Sequence, residues 1–295
     1  MIRRRRAVLV PAAALVLALL PSSIRAQAAP PATTTVAPGL FVLSGSGGNT
    51  VVLTGSEGAL VLGPQAPETV ARTRAFLAAH SDPRVRYVVL APGNQALRNG
   101  DAGWGQRGAA TIAQEAIFYA LRGNGRGSAG KPAGPRQGFS EVMQLMFGGD
   151  EIHMVHQLAG FSDADFSAHF ERSHLLYLGA LFTTDGYPEI DLEHGGTLAG
   201  MIRAADGFLE MFGGSPNAVH PIVPGRGPLA TIADLRAYRD MLAAVRDRVQ
   251  PMVKDGKTLA EVVAAHPTAR FDARWGHGPV KPDAFVGMVY RSLSK

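Results

Sequence analysis

Apolar residues in the first part of the chain fall in short runs: Leu40-Phe41-Val42-Leu43, Thr50-Val51-Val52-Leu53 and Ala59-Leu60-Val61-Leu62. Between them stand Gly45-Ser46-Gly47-Gly48 and Gly55-Ser56-Glu57-Gly58, which carry turn chemistry, so the pattern predicts a β-meander. Pro67 to His80 has helical spacing and Val85 to Leu90 is another β-rich run, placing a helix and a strand after the meander. Gly123 to Gly138, rich in Gly, Pro and Arg, cannot pack and is expected to be a mobile loop that flanks a site. Strands are predicted again at Ile152 to His156, Phe166 to Phe170 and His174 to Leu178, followed by a helix over Thr197 to Phe212. In the last third, Thr231-Ile232-Ala233-Asp234 opens a long helix whose apolar positions Leu235, Tyr238, Leu242, Val245 and Val249 keep one face for the core. Gly256 stops it, and Thr258-Leu259-Ala260-Glu261 forms a second capping box. No short tandem repeat is present. Two halves, each of strands followed by helices, predict an α/β fold with two layers of sheet covered on both outer faces.

The amino terminus changes the picture of where this domain works. Ile2-Arg3-Arg4-Arg5-Arg6 precedes the apolar run Ala7 to Leu20, too short for a comfortable permanent span, and Ala26-Gln27-Ala28 supplies a small-x-small cleavage triplet. Residues 1–28 are therefore expected to be a signal peptide, with mature protein beginning near Ala29 and released to the periplasm or the medium. Sec and twin-arginine export both remain open. Residues 29–38, mostly Ala, Pro and Thr, read as a spacer, and residues 39–295 as one domain.

The formal charge of +5 includes Arg3, Arg4, Arg5, Arg6 and Arg25, with no Asp or Glu among the first 28 residues, so the mature domain is close to neutral. No overall charge then drives binding to nucleic acid or an acidic membrane. Cys is absent, which removes disulfides, thiolate chemistry and lipid anchoring through cysteine. No later apolar stretch is long enough for a membrane anchor.

Several local patterns invite a functional reading. Gly125-Arg126-Gly127-Ser128-Ala129-Gly130-Lys131 resembles a phosphate loop, but no strand precedes it and Pro132 stands where a Mg²⁺-binding hydroxyl is needed. Gly-x-Ser-x-Gly, the nucleophile turn of many serine hydrolases, does not occur. His153 and His156 are three apart, which puts them on opposite faces of a strand. Asp191-Leu192-Glu193-His194 together with Asp185 is the densest group of oxygen and nitrogen donors. It could serve a hard cation or zinc, or cap the helix that begins after Gly195-Gly196.

The arrangement as a whole, from Leu40 to Gly63, through Gly108-Ala109-Ala110-Thr111-Ile112-Ala113 and Leu175-Leu176-Tyr177-Leu178-Gly179, resembles the metallo-β-lactamase superfamily. The likeness continues through Tyr187-Pro188-Glu189-Ile190-Asp191, Ile222-Val223-Pro224-Gly225-Arg226-Gly227-Pro228 and the helix at Asp234 to Asp240. It implies an αββα sandwich with two zinc ions held by loops at one edge of the sheets. The ligand positions depart from it. Where the family places His-x-His-x-Asp-His, this chain has Pro92-Gly93-Asn94-Gln95-Ala96-Leu97. A further histidine is replaced in Gly160-Phe161, the bridging aspartate after Gly179 by Ala180, the last histidine by Arg226, and the aspartate ending the third strand by Gly63. A fixed guanidinium beside a dication would repel it by several kcal/mol, so the pocket now prefers an anion.

Two classes of function follow. One is a non-catalytic relative whose old site, with Asn94, Phe161, Asp163 and Arg226, binds a small anionic or aromatic molecule or a periplasmic protein, without zinc. The other is a hydrolase with a relocated metal at Asp185, Asp191, Glu193 and His194, or with metal-free chemistry.

Overall fold

The computed structural model describes residues 32–80, 83–92, 103–122, 136–214 and 221–294. The expected signal peptide, residues 29–31, 81–82, 93–102, 123–135 and 215–220 and residue 295 lie outside them, and with them Asn94 and the glycine-rich motif.

The predicted meander forms as β2 Leu40–Ser44, β3 Thr50–Gly55 and β4 Gly58–Gly63, and a further strand, β1 Ala32–Ala37, joins its edge, all four pairing antiparallel in order. After α1, Pro67–His80, the chain adds β5 Val85–Leu90 and β6 Ala110–Gln114 in parallel. Helix α2, Glu115–Arg122, leads to the short parallel strand β7, Gln137–Phe139. These seven strands make one sheet in sequential order. The second sheet holds β8 Val142–Phe147, β9 Asp150–His156, β10 Phe166–Phe170 and β11 Leu175–Thr183, with β12 Ile222–Arg226 parallel to β11 beyond α3, Leu198–Phe212. Its order is β12-β11-β10-β9-β8. Helices α4 Ile232–Lys254, α5 Leu259–Ala264, α6 Asp272–Trp275 and α7 Pro282–Leu293 complete the chain.

Strand periodicity explains the layering, because successive side chains leave opposite faces. In β2, Leu40 and Val42 enter the core between the sheets, while Leu43 packs outward with Val70, Phe76 and Leu77 of α1. In β11, Leu175 and Tyr177 face the other sheet, whereas Leu176 and Leu178 meet α3, α4 and α7. The result is αββα, with an apolar core between the sheets and one beneath each helical layer. The predicted core face of α4, Leu235, Tyr238, Leu242, Val245 and Val249, is buried, and both capping boxes form, Thr231 with Asp234 and Thr258 with Glu261. No helix among the described residues is long and apolar enough to cross a membrane.

Two expectations need correction. Residues 32–37 of the supposed spacer are an edge strand: Thr33, Thr34 and Thr35 register with Leu43, Val42 and Phe41. The side chains of residues 32–35 are exposed, so backbone pairing rather than apolar burial holds the strand. At the far end of the glycine-rich segment, Gln137–Phe139 pair with β6 instead of forming loop, and Phe139 enters the core.

Candidate functional site

The carboxyl ends of β4, β5, β11 and β12 converge at one edge of the sandwich, joined by the turn after β2 and the loop that follows β9. Asn49 fastens these parts across the two sheets. Its backbone N–H donates to Gly225 O at 2.9 Å, and its buried Nδ2 donates to Pro224 O and Gly227 O, both at 2.9 Å. Gly48, at φ +104°, comes so close to this segment that a Cβ would stand 2.8 Å from Gly225 O.

Beneath the latch lies a cavity of about 150 Å³, whose walls include Phe161, Tyr177, Ala180, Phe182, Pro92 and Arg226. Phe161 and Arg226, far apart in sequence, both line it. Arg226 Nε sits 3.4 Å from both carboxylate oxygens of Asp185, which also accepts from Thr183 Oγ1 at 2.6 Å. Among the described residues Asp185 is the guanidinium's only ionic partner, and Arg226 Nη2 is buried without any hydrogen-bond acceptor. An unmet buried donor of this kind costs about 1–3 kcal/mol.

Asp163 does not line the cavity. It is exposed; its N–H donates to His194 O at 2.8 Å and its carbonyl lies 2.7 Å from His156 Nε2. The carboxyl packed behind Phe161 is Asp165, fully buried, which accepts from Ser162 N at 2.9 Å and from Ser162 Oγ at 3.1 Å. Burial raises it to about 7, outweighing the hydrogen bonds from Ser162 and Phe161, which favour the charged form; Asp163 adds a smaller push upward. Tyr177 lines the cavity, and Tyr238 lies in the core beneath the helices. Burial pushes both phenols upward. The Asp165 charge adds to this at each, and Arg226 opposes it at Tyr238. The Tyr238 hydroxyl is buried with no partner.

The alternative metal cluster is not assembled. Asp191 caps the 3-10 turn Leu192–His194, accepting from His194 N at 3.2 Å and lying 2.8 Å from His194 Nδ1, while Asp185 is committed to Arg226 and Thr183. Helix α3 is capped separately, by Thr197. Among the described residues no group of three or more His, Asp or Glu could hold a metal ion. The zinc implied by the sequence resemblance meets the same objection on donor chemistry. Among the described residues, the positions expected to carry ligands present a proline, a phenyl ring, a methyl group and a guanidinium to the cavity, and the one carboxylate in its lining, Glu189, supplies too few donors for zinc.

Two sheets face to face with helices on both outer surfaces, and a pocket at the strand ends, define an αββα sandwich with an edge site. No family model matches the sequence, and no curated protein does. Solved structures do match. A metallo-β-lactamase from Pontibacter korlensis aligns with a TM-score of 0.58 at 14% identity, over 72% of this chain and 99% of that one. The DIM-1 metallo-β-lactamase aligns with 0.57 at 12% identity, over 74% and 99%. The sec-alkylsulfatase Pisa1 from Pseudomonas sp. aligns with 0.63 at 14% identity, over 88% of this chain but 50% of its own. The chain has the fold of the metallo-β-lactamase superfamily.

Proposed function

We propose that the protein is an exported, non-catalytic relative of the metallo-β-lactamase-fold hydrolases, whose edge pocket binds a small anionic or aromatic molecule. One observation carries the reading: Phe161, Ala180 and Arg226 stand together around one cavity at the positions where the resemblance expects metal ligands. Among the described residues the lining offers one carboxylate, Glu189, and no histidine to hold a metal that would activate water, while aromatic walls and a guanidinium suit recognition. A periplasmic protein that inserts an aromatic or acidic side chain would use the same chemistry.

The test is a thermal-shift screen of small acids and aromatics against the mature protein and the cavity-filling variant Ala180→Phe. Stabilisation of the native protein that disappears in the variant supports the reading. Ligands that stabilise both equally, or none that stabilise the native protein, oppose it. Export has its own check, amino-terminal sequencing of protein recovered outside the cytoplasm, with a start near Ala29 expected.

A further inference from the structure

From the shape and polarity of this pocket we infer that its ligand is a compact aromatic monoanion: one six-membered ring bearing a single planar acid group, of which benzoate is the simplest case. The inference rests on the pocket being a ligand site, as proposed above, and adds what the ligand must look like.

Size comes first. A cavity of about 150 Å³ matches the volume that takes up benzene when lined by apolar side chains. Here Phe161, Tyr177 and Phe182 provide aromatic walls, and Pro64 and Pro188 add rigid apolar surface to a pocket that stays partly open to solvent. Flat rings gain from such walls through offset and edge-to-face contacts as well as through burial. A ligand much larger than one ring would have to extend out of the cavity.

Polarity decides the head group. Arg226 lines the cavity, and among the described residues its one ionic partner is Asp185, met through Nε. A planar acid matches the guanidinium fork and can accept two parallel N–H donors, which a point acceptor cannot. A cation would face the guanidinium directly, and a neutral alcohol would bring no charge to meet it.

Charge count sets the limit at one. Asp185 already shares the guanidinium, and Glu189 stands at the solvent side of the lining. A dianion would bring a second negative charge into a site that holds one partly neutralised cation. Phosphate esters should therefore bind worse than carboxylates of the same body.

The experiment is calorimetric titration of the mature protein with four probes that share one ring: benzoate, phenyl phosphate, benzyl alcohol and benzamidine. It is repeated with Arg226→Gln, Arg226→Lys and Ala180→Phe, each checked for folding by circular dichroism. The expected result is preferential binding of benzoate, weakened roughly tenfold or more by Arg226→Gln, partly restored by Arg226→Lys and abolished by Ala180→Phe. If benzyl alcohol or benzamidine binds as tightly as benzoate and Ala180→Phe abolishes that binding, the pocket remains a ligand site and the monoanion assignment is overturned. Tighter binding of phenyl phosphate overturns the charge limit, and therefore the assignment. If none of the probes binds the native protein, the assignment falls whatever the screen under Proposed function reports. The ligand-site reading itself falls only on that screen, when nothing stabilises the native protein or when Ala180→Phe is stabilised equally.

Discussion

Asp165 gives the account its sharpest energetic consequence. Folding moves its carboxyl from a side chain free in water, at 3.8, to a fully buried position where it titrates at about 7. The native state thus holds its proton more tightly than the unfolded chain, so Asp165 favours folding fully below the unfolded value and loses that contribution as pH rises toward 7. At roughly 1.4 kcal/mol per pH unit between the two values, stability should fall by about 2.5 kcal/mol from about pH 5 to about pH 8. Urea unfolding across that range reads the effect, and Asp165→Asn isolates it, because the amide oxygen can still accept from Ser162 N but cannot ionise. The difference in stability between variant and native protein should shift in favour of the variant as pH rises, levelling off just above neutrality. A difference that stays constant with pH, or moves the other way, would refute the reasoning and mean that the Ser162 and Phe161 donors, not burial, dominate the site.

Other consequences follow from particular contacts. Tyr187 and Tyr238 are both fully buried, but Tyr187 donates to Asp272 at 2.7 Å while the Tyr238 hydroxyl has no partner. Tyr187→Phe should therefore cost about 1–2 kcal/mol in urea unfolding and Tyr238→Phe close to nothing. A Cβ at Gly200 would stand 1.6 Å from Ala159 O, so Gly200→Ala should destabilise by about 3 kcal/mol or more, read as a lowered Tm. Thr231→Ala removes one half of a capping box on the longest helix and should cost about 1 kcal/mol by the same measurement.

Much of this architecture can be read from the chain because burial leaves a periodic trace. α1 and β5 have the predicted bounds, β10 runs over the predicted residues, and the α4 core face consists of the residues the spacing selects. Strands with a different support escape that reading. β1 is Ala-Thr-Thr-Thr-Val-Ala and is held by its backbone. β8 exposes Val142 and Met146 on its outer face, which blurs the alternation that would have marked it. At the site, Phe161 and Arg226 are legible because the residues around them keep the pattern of the resemblance. The choice between Asp163 and Asp165 is not legible. The two sit two apart in Ser162-Asp163-Ala164-Asp165, and only the packing of the loop against Leu181 and Tyr177 determines that the second is buried and the first exposed. The Asp191 cluster was equally ambiguous in sequence, since a capped turn and a metal site draw on the same residue types.

The proposed function requires that the edge pocket hold no zinc. Elemental analysis of tag-free mature protein, exposed to excess zinc and then dialysed extensively, tests it directly. The account predicts less than about a tenth of an equivalent retained, because a cavity lined by Phe161, Ala180 and Arg226 offers no ligand set. Retention of roughly one or two equivalents through dialysis would contradict it and require a metal site built from other residues.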